Sequence, residues 1–222
     1  MFAKDFRQSA WKKLDKKWGV AILSYLAYSL IYGAISSFTG IGGLIIGGPL
    51  VIGYTAIILT IVRGGEAKIE QMFENFSGRF VSNMALFVLQ YLYTFLWTML
   101  FIIPGIVKSY SYAMSYYIMC DNPEMGANEA ITRSREMMNG HKWELFCLHL
   151  SFIGWILLSF LTCGLLLFMV VPYMNTATAE FYEKLKRDEL IAKGIDPDAE
   201  PADTAFEEAP AIESAADTTE SI

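Results

Sequence analysis

The chain has 222 residues, of which 54% are hydrophobic, 14% aromatic and only 18% charged, with a mean hydropathy of +0.37. Soluble domains carry roughly 25% charged residues, so this composition excludes an ordinary soluble domain and points to a bilayer-spanning one. Three cysteines inside or beside apolar runs exclude a secreted disulfide scaffold, and the lack of a dense basic face excludes nucleic-acid binding.

In chain order, the first segment places Phe6, Ala10, Leu14 and Trp18 on one helical face, with Arg7, Lys12, Lys13, Lys16 and Lys17 around the rest. A basic amphipathic helix of this kind is expected to lie in the headgroup plane. Residues 19–38 and 44–62 carry no charge, and each is about 20 residues long, enough at 1.5 Å per residue to cross roughly 30 Å of hydrocarbon. The segment TGIGG between them predicts a tight turn and therefore a helical hairpin. Gly43 and Gly47 form a small-xxx-small pair, which lets helices approach closely within one chain or between two copies.

In residues 66–78, Ile69, Met72, Phe73 and Phe76 recur at i, i+3, i+4 and i+7 before Gly78, which predicts a second amphipathic helix. Residues 81–103 are a third uncharged span, closed by Pro104 and Gly105, with Asn83 and Gln90 seven apart on one face for interhelical hydrogen bonds. Residues 106–120 hold one lysine and many tyrosines and serines. They predict a fourth helix packed inside the bundle, because a polar face at membrane depth must be shielded from lipid. Pro123 then opens a third amphipathic helix, with Ala127, Ala130, Ile131, Ser134, Met137 and Met138 on one side and Gly140 closing it. The run Trp143–Tyr173 is too long for one span, and Thr162, Cys163 and Gly164 offer a turn between a fifth helix at 142–161 and a sixth at 165–187.

Residues 188–222 hold eleven of the 23 acids and one base, Lys193, so the net charge of −6 describes a tail and the first 187 residues are mildly basic. Such an acidic stretch cannot bury enough apolar surface to offset chain entropy and is expected to be disordered. The domain division is then a single transmembrane domain at 1–187 and an acidic, disordered cytoplasmic tail at 188–222.

Bases in short loops stay cytoplasmic. The turns at 39–43, 104–105 and 162–164 carry no charge, whereas the opposite side carries every base except Lys108. Both termini are therefore expected in the cytoplasm, and a cleavable signal peptide is disfavoured because the first apolar run is span-length and a second follows at once. The aromatics at the span entries, Trp18, Phe80 and Trp143, are 62 and 63 residues apart. This fits three tandem αα-hairpins, each preceded by an amphipathic interfacial helix, although any six-span chain with short outer turns gives a similar rhythm. The fold class is an all-α polytopic membrane protein with six transmembrane helices.

The strings IIPGIVKSYSYAMSYYIMCDNPEMGANEAITRSREMMNGHKWELF and LSFIGWILLSFLTCG, followed by PYMNTATAEFY, resemble the bacterial integral membrane family known as domain of unknown function 975. The shared elements are the proline-glycine turn with its lysine and tyrosines, the asparagine-proline start, the glycine-lysine-tryptophan stretch and the final proline-tyrosine, and the likeness runs from about Phe6 to Tyr182. The resemblance implies a polytopic protein of the bacterial cytoplasmic membrane and no particular activity. The amphipathic helix before a span is also similar, more weakly, to the membrane domain fused to some glycerophosphodiester phosphodiesterases, which would imply a lipid-related role.

Among candidate sites, Lys108 could hold an anionic ligand with Tyr112 and Tyr116 at i+4 and i+8, or simply snorkel to the outer interface. His149 and Glu180, each about 15 residues from the outer turn, should reach similar depth and could pair, as a proton relay or as a structural contact. His141 and Glu144 have a metal-compatible spacing but lack evident further ligands. Asn75-Phe76-Ser77 matches a glycosylation acceptor but falls on the expected cytoplasmic side. No serine nucleophile motif, paired carboxylates or phosphate loop appears, so no enzymatic activity, cofactor or metal is expected.

The residues point first to a membrane-organising or lipid-sensing scaffold at the inner leaflet, and second to a small-solute or lipid transporter. Expected partners are membrane lipids, a cytoplasmic protein that meets the acidic tail, and another copy of the chain, with no nucleic acid.

Overall fold

The computed structural model describes residues 3–39, 42–74, 79–162 and 164–195, and every regular element among them is helical. The chain divides into two compact units, Met1–Lys186 and Arg187–Ile222. Of the second, only residues up to 195 are described; there Lys193 pairs with Glu189 one turn back at 3.1 Å. Most of the acidic tail, and with it the expected disorder, lies outside the described residues, as do Cys163, part of the TGIGG turn and the whole Asn75-Phe76-Ser77 motif.

Helix α1 (Ala3–Leu14) buries the apolar stripe read from the sequence, Phe6, Ala10 and Leu14. The stripe packs on protein: Phe6 meets the ring of Phe181 edge-on at 5.4 Å. The expectation that α1 lays this face on lipid is therefore corrected. A stripe at helical spacing is satisfied by any apolar partner, and the partner here comes from 175 residues further along the chain.

Lys16 turns the chain from α1 into α2 (Trp18–Thr39) with φ +65°, a left-handed conformation that costs a side-chain-bearing residue roughly 1–2 kcal/mol. Lys16→Gly is therefore expected to raise stability by about 1 kcal/mol, read as a higher unfolding temperature in detergent. An unchanged or lower value would show that the side chain has contacts that outweigh the strain.

Helix α3 (Gly42–Val62) is the axis of the bundle, with most of its residues buried. Its glycines permit this. A Cβ on Gly43 would lie 2.5 Å from the Ser36 hydroxyl of α2, and one on Gly47 would lie 2.9 Å from the Phe87 ring. A Cβ on Gly48 would collide with the backbone of Asn83, and one on Gly53 with the backbone of Met72. The small-xxx-small pair thus serves packing within the chain.

The predicted amphipathic helix at 66–78 is reduced, among described residues, to the single turn α4 (Gln71–Glu74), and Phe76 and Gly78 lie outside them. Met72 is buried in the notch left by Gly53, so this segment is shaped by contact with α3 rather than by its own periodicity.

Helix α5 (Phe80–Leu100) ends at Phe101, whose extended backbone (φ −156°, ψ 140°) makes the turn into α6 (Ile102–Ser111). The turn therefore precedes Pro104 and Gly105 instead of occurring at them. Proline is tolerated in the first turn of α6 because the first four N–H groups of a helix have no intrahelical acceptor. Gly105 has another task, since it admits α6 against Thr98 of α5.

The predicted fourth helix is broken at Tyr112–Met114, and α7 (Ser115–Asp121) follows. A break inside a bundle frees backbone groups that must find partners. Ser134 supplies them: its hydroxyl donates to the Ser111 carbonyl at 2.9 Å and accepts from the Met114 N–H at 3.2 Å. Ser134 belongs to α8 (Ala127–Met137), which starts after Gly126 and not at Pro123, and Gly140 closes the turn beyond it with φ +86°. Ala130, Ile131 and Met138 are buried, so α8 also turns its apolar side toward protein.

The predicted fifth helix is found as α9 (Lys142–Leu150) and α10 (Ile153–Leu161), with Ser151 and Phe152 between them. Helix α11 (Leu167–Ala192) begins two residues after the predicted start of the sixth helix and runs beyond its predicted end. Among the described residues, four helical stretches are long and apolar enough to cross a membrane: Trp18–Ser37, Gly42–Val62, Phe80–Leu100 and Lys142–Leu161. The predicted fourth and sixth spans are not among them. The fourth is in two short pieces, and the second half of α11 is charged. Met99, Ile103, Phe160 and Leu161 are each at least 76% exposed, which suits a surface facing lipid chains and not water.

Candidate functional site

The residues singled out in the sequence do not converge. Lys108 on α6 places its ammonium 4.8 Å from the centroid of the Trp97 ring of α5, a cation–π contact. Tyr112 sits in the α6–α7 break, 6.2 Å from the Tyr93 ring. Tyr116 lies beyond the break and faces Tyr28 and Tyr32 of α2. The shared face expected for Lys108, Tyr112 and Tyr116 requires an unbroken helix, and the break at 112–114 removes it.

His149 and Glu180 are likewise separate. The His149 Nε2 lies 3.1 Å from the Thr178 hydroxyl and its ring packs on Tyr110, whereas Glu180 forms an ion pair with Lys13 of α1 at 2.8 Å. Glu180 lies two residues beyond Thr178, a rotation of about 200° around the helix, so it points another way, toward α1. His141 Nδ1 is 3.5 Å from Glu144, whose other oxygen takes Lys184 at 3.2 Å. Among the described residues, no three His, Cys, Asp or Glu side chains converge as a metal site would need. Cys120 donates to the Ile52 carbonyl at 3.5 Å, and Cys147 is half-buried.

The strongest ionic constellation is centred on Asp121, which the sequence reading did not select. Asp121 ends α7, Arg63 follows α3, and Tyr182, Glu183 and Lys186 lie on α11. The Arg63 guanidinium donates to both Asp121 oxygens at 2.7 and 2.8 Å, and its Nε donates to Glu183 at 2.9 Å. Asp121 Oδ2 also accepts from the Tyr182 hydroxyl and from the Lys186 ammonium, each at 2.9 Å. The side chains of Asp121 and Lys186 are both only 6% exposed.

Two bases balance two acids, so the cluster is neutral overall and binds three helix ends into one unit. Burial works against the charge on Arg63, but Asp121 and Glu183 beside it more than offset this and hold the guanidinium well above its ordinary pKa. The buried Tyr182 donates its hydroxyl to Asp121 from within the cluster. A signal for this site exists in the sequence. Arg63 and Asp121 are the first charges after two apolar runs, and Glu183 and Lys186 are one turn apart near the end of a third.

A file of aromatic hydroxyls leads from α2 to this cluster. Tyr28 stacks on Tyr32 at 5.8 Å and on Tyr54 at 5.6 Å, and the Tyr54 hydroxyl accepts from the Asn175 amide at 3.3 Å. The Tyr117 hydroxyl donates to the Asn175 carbonyl at 3.5 Å, and its ring stacks on Tyr182 at 5.4 Å.

No curated protein and no solved structure matches the chain, and the likeness to the glycerophosphodiester phosphodiesterase membrane domain is not supported. Residues 101–189 match the family described as Protein of unknown function (DUF975). That stretch holds α6 to α10, most of α11 and four of the five residues of the ionic cluster, and over it the chain is similar to the DUF975 family.

Proposed function

We propose that this is a non-enzymatic, six-span protein of the bacterial cytoplasmic membrane that organises or senses lipid at the inner leaflet, with both termini on the cytoplasmic side. The observation that carries the reading is the segregation of charge to one end of the helices. Lys17 reaches the Gly65 carbonyl at 2.8 Å, Arg79 pairs with Glu124, Lys13 with Glu180, Lys184 with Glu144, and Arg63 with Asp121 and Glu183. Each contact involves a base that the basic-loop count puts on the cytoplasmic side, and its partner lies in a cytoplasmic segment or near the cytoplasmic end of a predicted span. Helix α1 supports the same reading, because its apolar stripe is held by protein while Lys4 and Lys12 remain exposed. Gly48 and Gly53 bring α3 against the backbone of Asn83 and Met72, which gives these helices the close packing a scaffold needs.

Trp11 and Phe73, each 47% exposed, are suitable positions for spin labels on this face. Shallow membrane immersion is expected at both, and full aqueous mobility at both would overturn the reading.

Transport of a small solute or lipid is favoured by one specific observation, the tyrosine file that runs through the bundle. The charge it would need is Lys108, whose ammonium already rests on Trp97. Lys108→Leu is therefore expected to leave expression and flux unchanged and to cost about 1 kcal/mol or less of stability. Abolished uptake or efflux in a normally expressed Lys108→Leu protein would favour the transporter.

A further inference from the structure

Lys4, Arg7, Gln8, Trp11 and Lys12 recur at helical spacing along α1 and, with Tyr173 of α11, line an open cleft of about 430 Å3. Its lining carries three bases and no carboxylate. The cleft is built rather than incidental. The Tyr173 hydroxyl donates to the Arg7 carbonyl at 2.8 Å, and Arg7 Nη1 donates to the Ser151 carbonyl at 3.2 Å while its guanidinium rests 5.7 Å from the Phe152 ring centroid. These contacts hold the guanidinium in place, yet its Nε is buried with no hydrogen-bond partner among the described residues. Nε itself is closed off, but Arg7 lines the cleft and presents the charge of its guanidinium to an anion there.

The aromatic surroundings indicate depth. Trp11 packs on Trp18 at 5.0 Å and on Tyr173 at 5.5 Å, and Tyr173 meets Phe152 at 5.0 Å. Tryptophan and tyrosine gather at headgroup level. Leu150 and Ile153, on either side of Ser151 in the chain, are half exposed and offer an apolar surface for an acyl chain.

We propose that this cleft binds the phosphate of an anionic lipid headgroup, with Arg7, Lys4 and Lys12 as its donors and Trp11 at its rim. The proposal rests on the inner-leaflet reading above and adds the site and the ligand chemistry. A phosphoester could also arrive free in solution, and the test separates the two sources.

The full chain in phosphatidylcholine nanodiscs, with and without phosphatidylglycerol, is compared with the double variant Lys4→Gln/Lys12→Gln. These two lysines are exposed, so the variant should fold, whereas Arg7 also holds Ser151 and is left intact. Phosphatidylglycerol is expected to raise the unfolding temperature of the wild type. The double variant should bind it about twentyfold more weakly while unfolding as the wild type does in phosphatidylcholine alone. Retention of phosphatidylglycerol affinity within twofold in the double variant would overturn the site and leave the inner-leaflet reading standing. No response of the wild type to phosphatidylglycerol would remove both. Glycerol 1-phosphate in phosphatidylcholine discs is expected to do nothing; if it stabilises the wild type as strongly as the lipid does, the site takes a soluble phosphoester and the lipid assignment falls.

Discussion

Replacing Asp121 with alanine is expected to destabilise the bundle by about 3–5 kcal/mol, the range for removing one partner of a buried, hydrogen-bonded ion pair. The magnitude follows from position. Lys186 is nearly inaccessible, and the carboxylate that accepts from it also accepts from Arg63 and Tyr182. Alanine would leave two cationic groups facing one another and a phenol without its acceptor, in a place where water cannot replace them cheaply.

The double replacement Asp121→Leu/Lys186→Met removes both buried charges and should recover much of the loss, because an apolar pair of similar volume often substitutes for a buried ion pair at little cost. Unfolding temperature in detergent measures both. An Asp121→Ala protein within about 1 kcal/mol of the wild type would show that the cluster is solvated and does not lock α3, α7 and α11 together.

Gly48→Val should also have a large effect, about 1–3 kcal/mol or more, as expected for overpacking a site that cannot relax. The atoms a Cβ would strike are the carbonyl of Asn83 and the Cα of Met84, both backbone of α5, so the two helices would have to part. Gly47→Ala provides a graded comparison, because its Cβ would meet the outer ring atoms of Phe87, which can swing, and a smaller loss is expected. Gly19 has nothing within 4 Å of a Cβ, and Gly19→Ala should be neutral or mildly stabilising from helix propensity alone. Three equal outcomes would mean that the α3–α5 contact is not tight.

The contrast between these glycines shows where sequence reasoning reaches its limit. Gly43 and Gly47 are recognisable by their spacing, and both do sit at close helix contacts. Gly48 and Gly53 make closer ones, yet no spacing rule marks them, because what they accommodate is the backbone of a residue 35 positions away for Gly48 and the neighbourhood of Met72 for Gly53. The candidate pairs failed for a related reason. His149 and Glu180 were matched by depth, which is set by rise per residue, but pairing also depends on rotation about the helix axis, and a single residue turns a side chain by about 100°. Lys108, Tyr112 and Tyr116 were placed on one face by assuming a continuous helix. The break that separates them is supported by Ser134, a residue on another element.

Sequence alone determined the chemistry of the chain: a helical protein with membrane-length apolar runs, bases concentrated between alternate runs, and motifs similar to those of the DUF975 family. These are properties of composition and of short-range periodicity, and helices follow from them because backbone hydrogen bonds in an apolar medium must be closed within the segment. Tertiary structure alone decided which apolar faces meet protein. It turned α1 and α8 inward, left a single helical turn among the described residues between α3 and Phe80, and assembled Asp121 with Arg63, Tyr182, Glu183 and Lys186. Burial rewards apolar area without regard to its partner, so a stripe such as Phe6, Ala10 and Leu14 states that a partner exists but leaves its identity to the geometry of the whole chain.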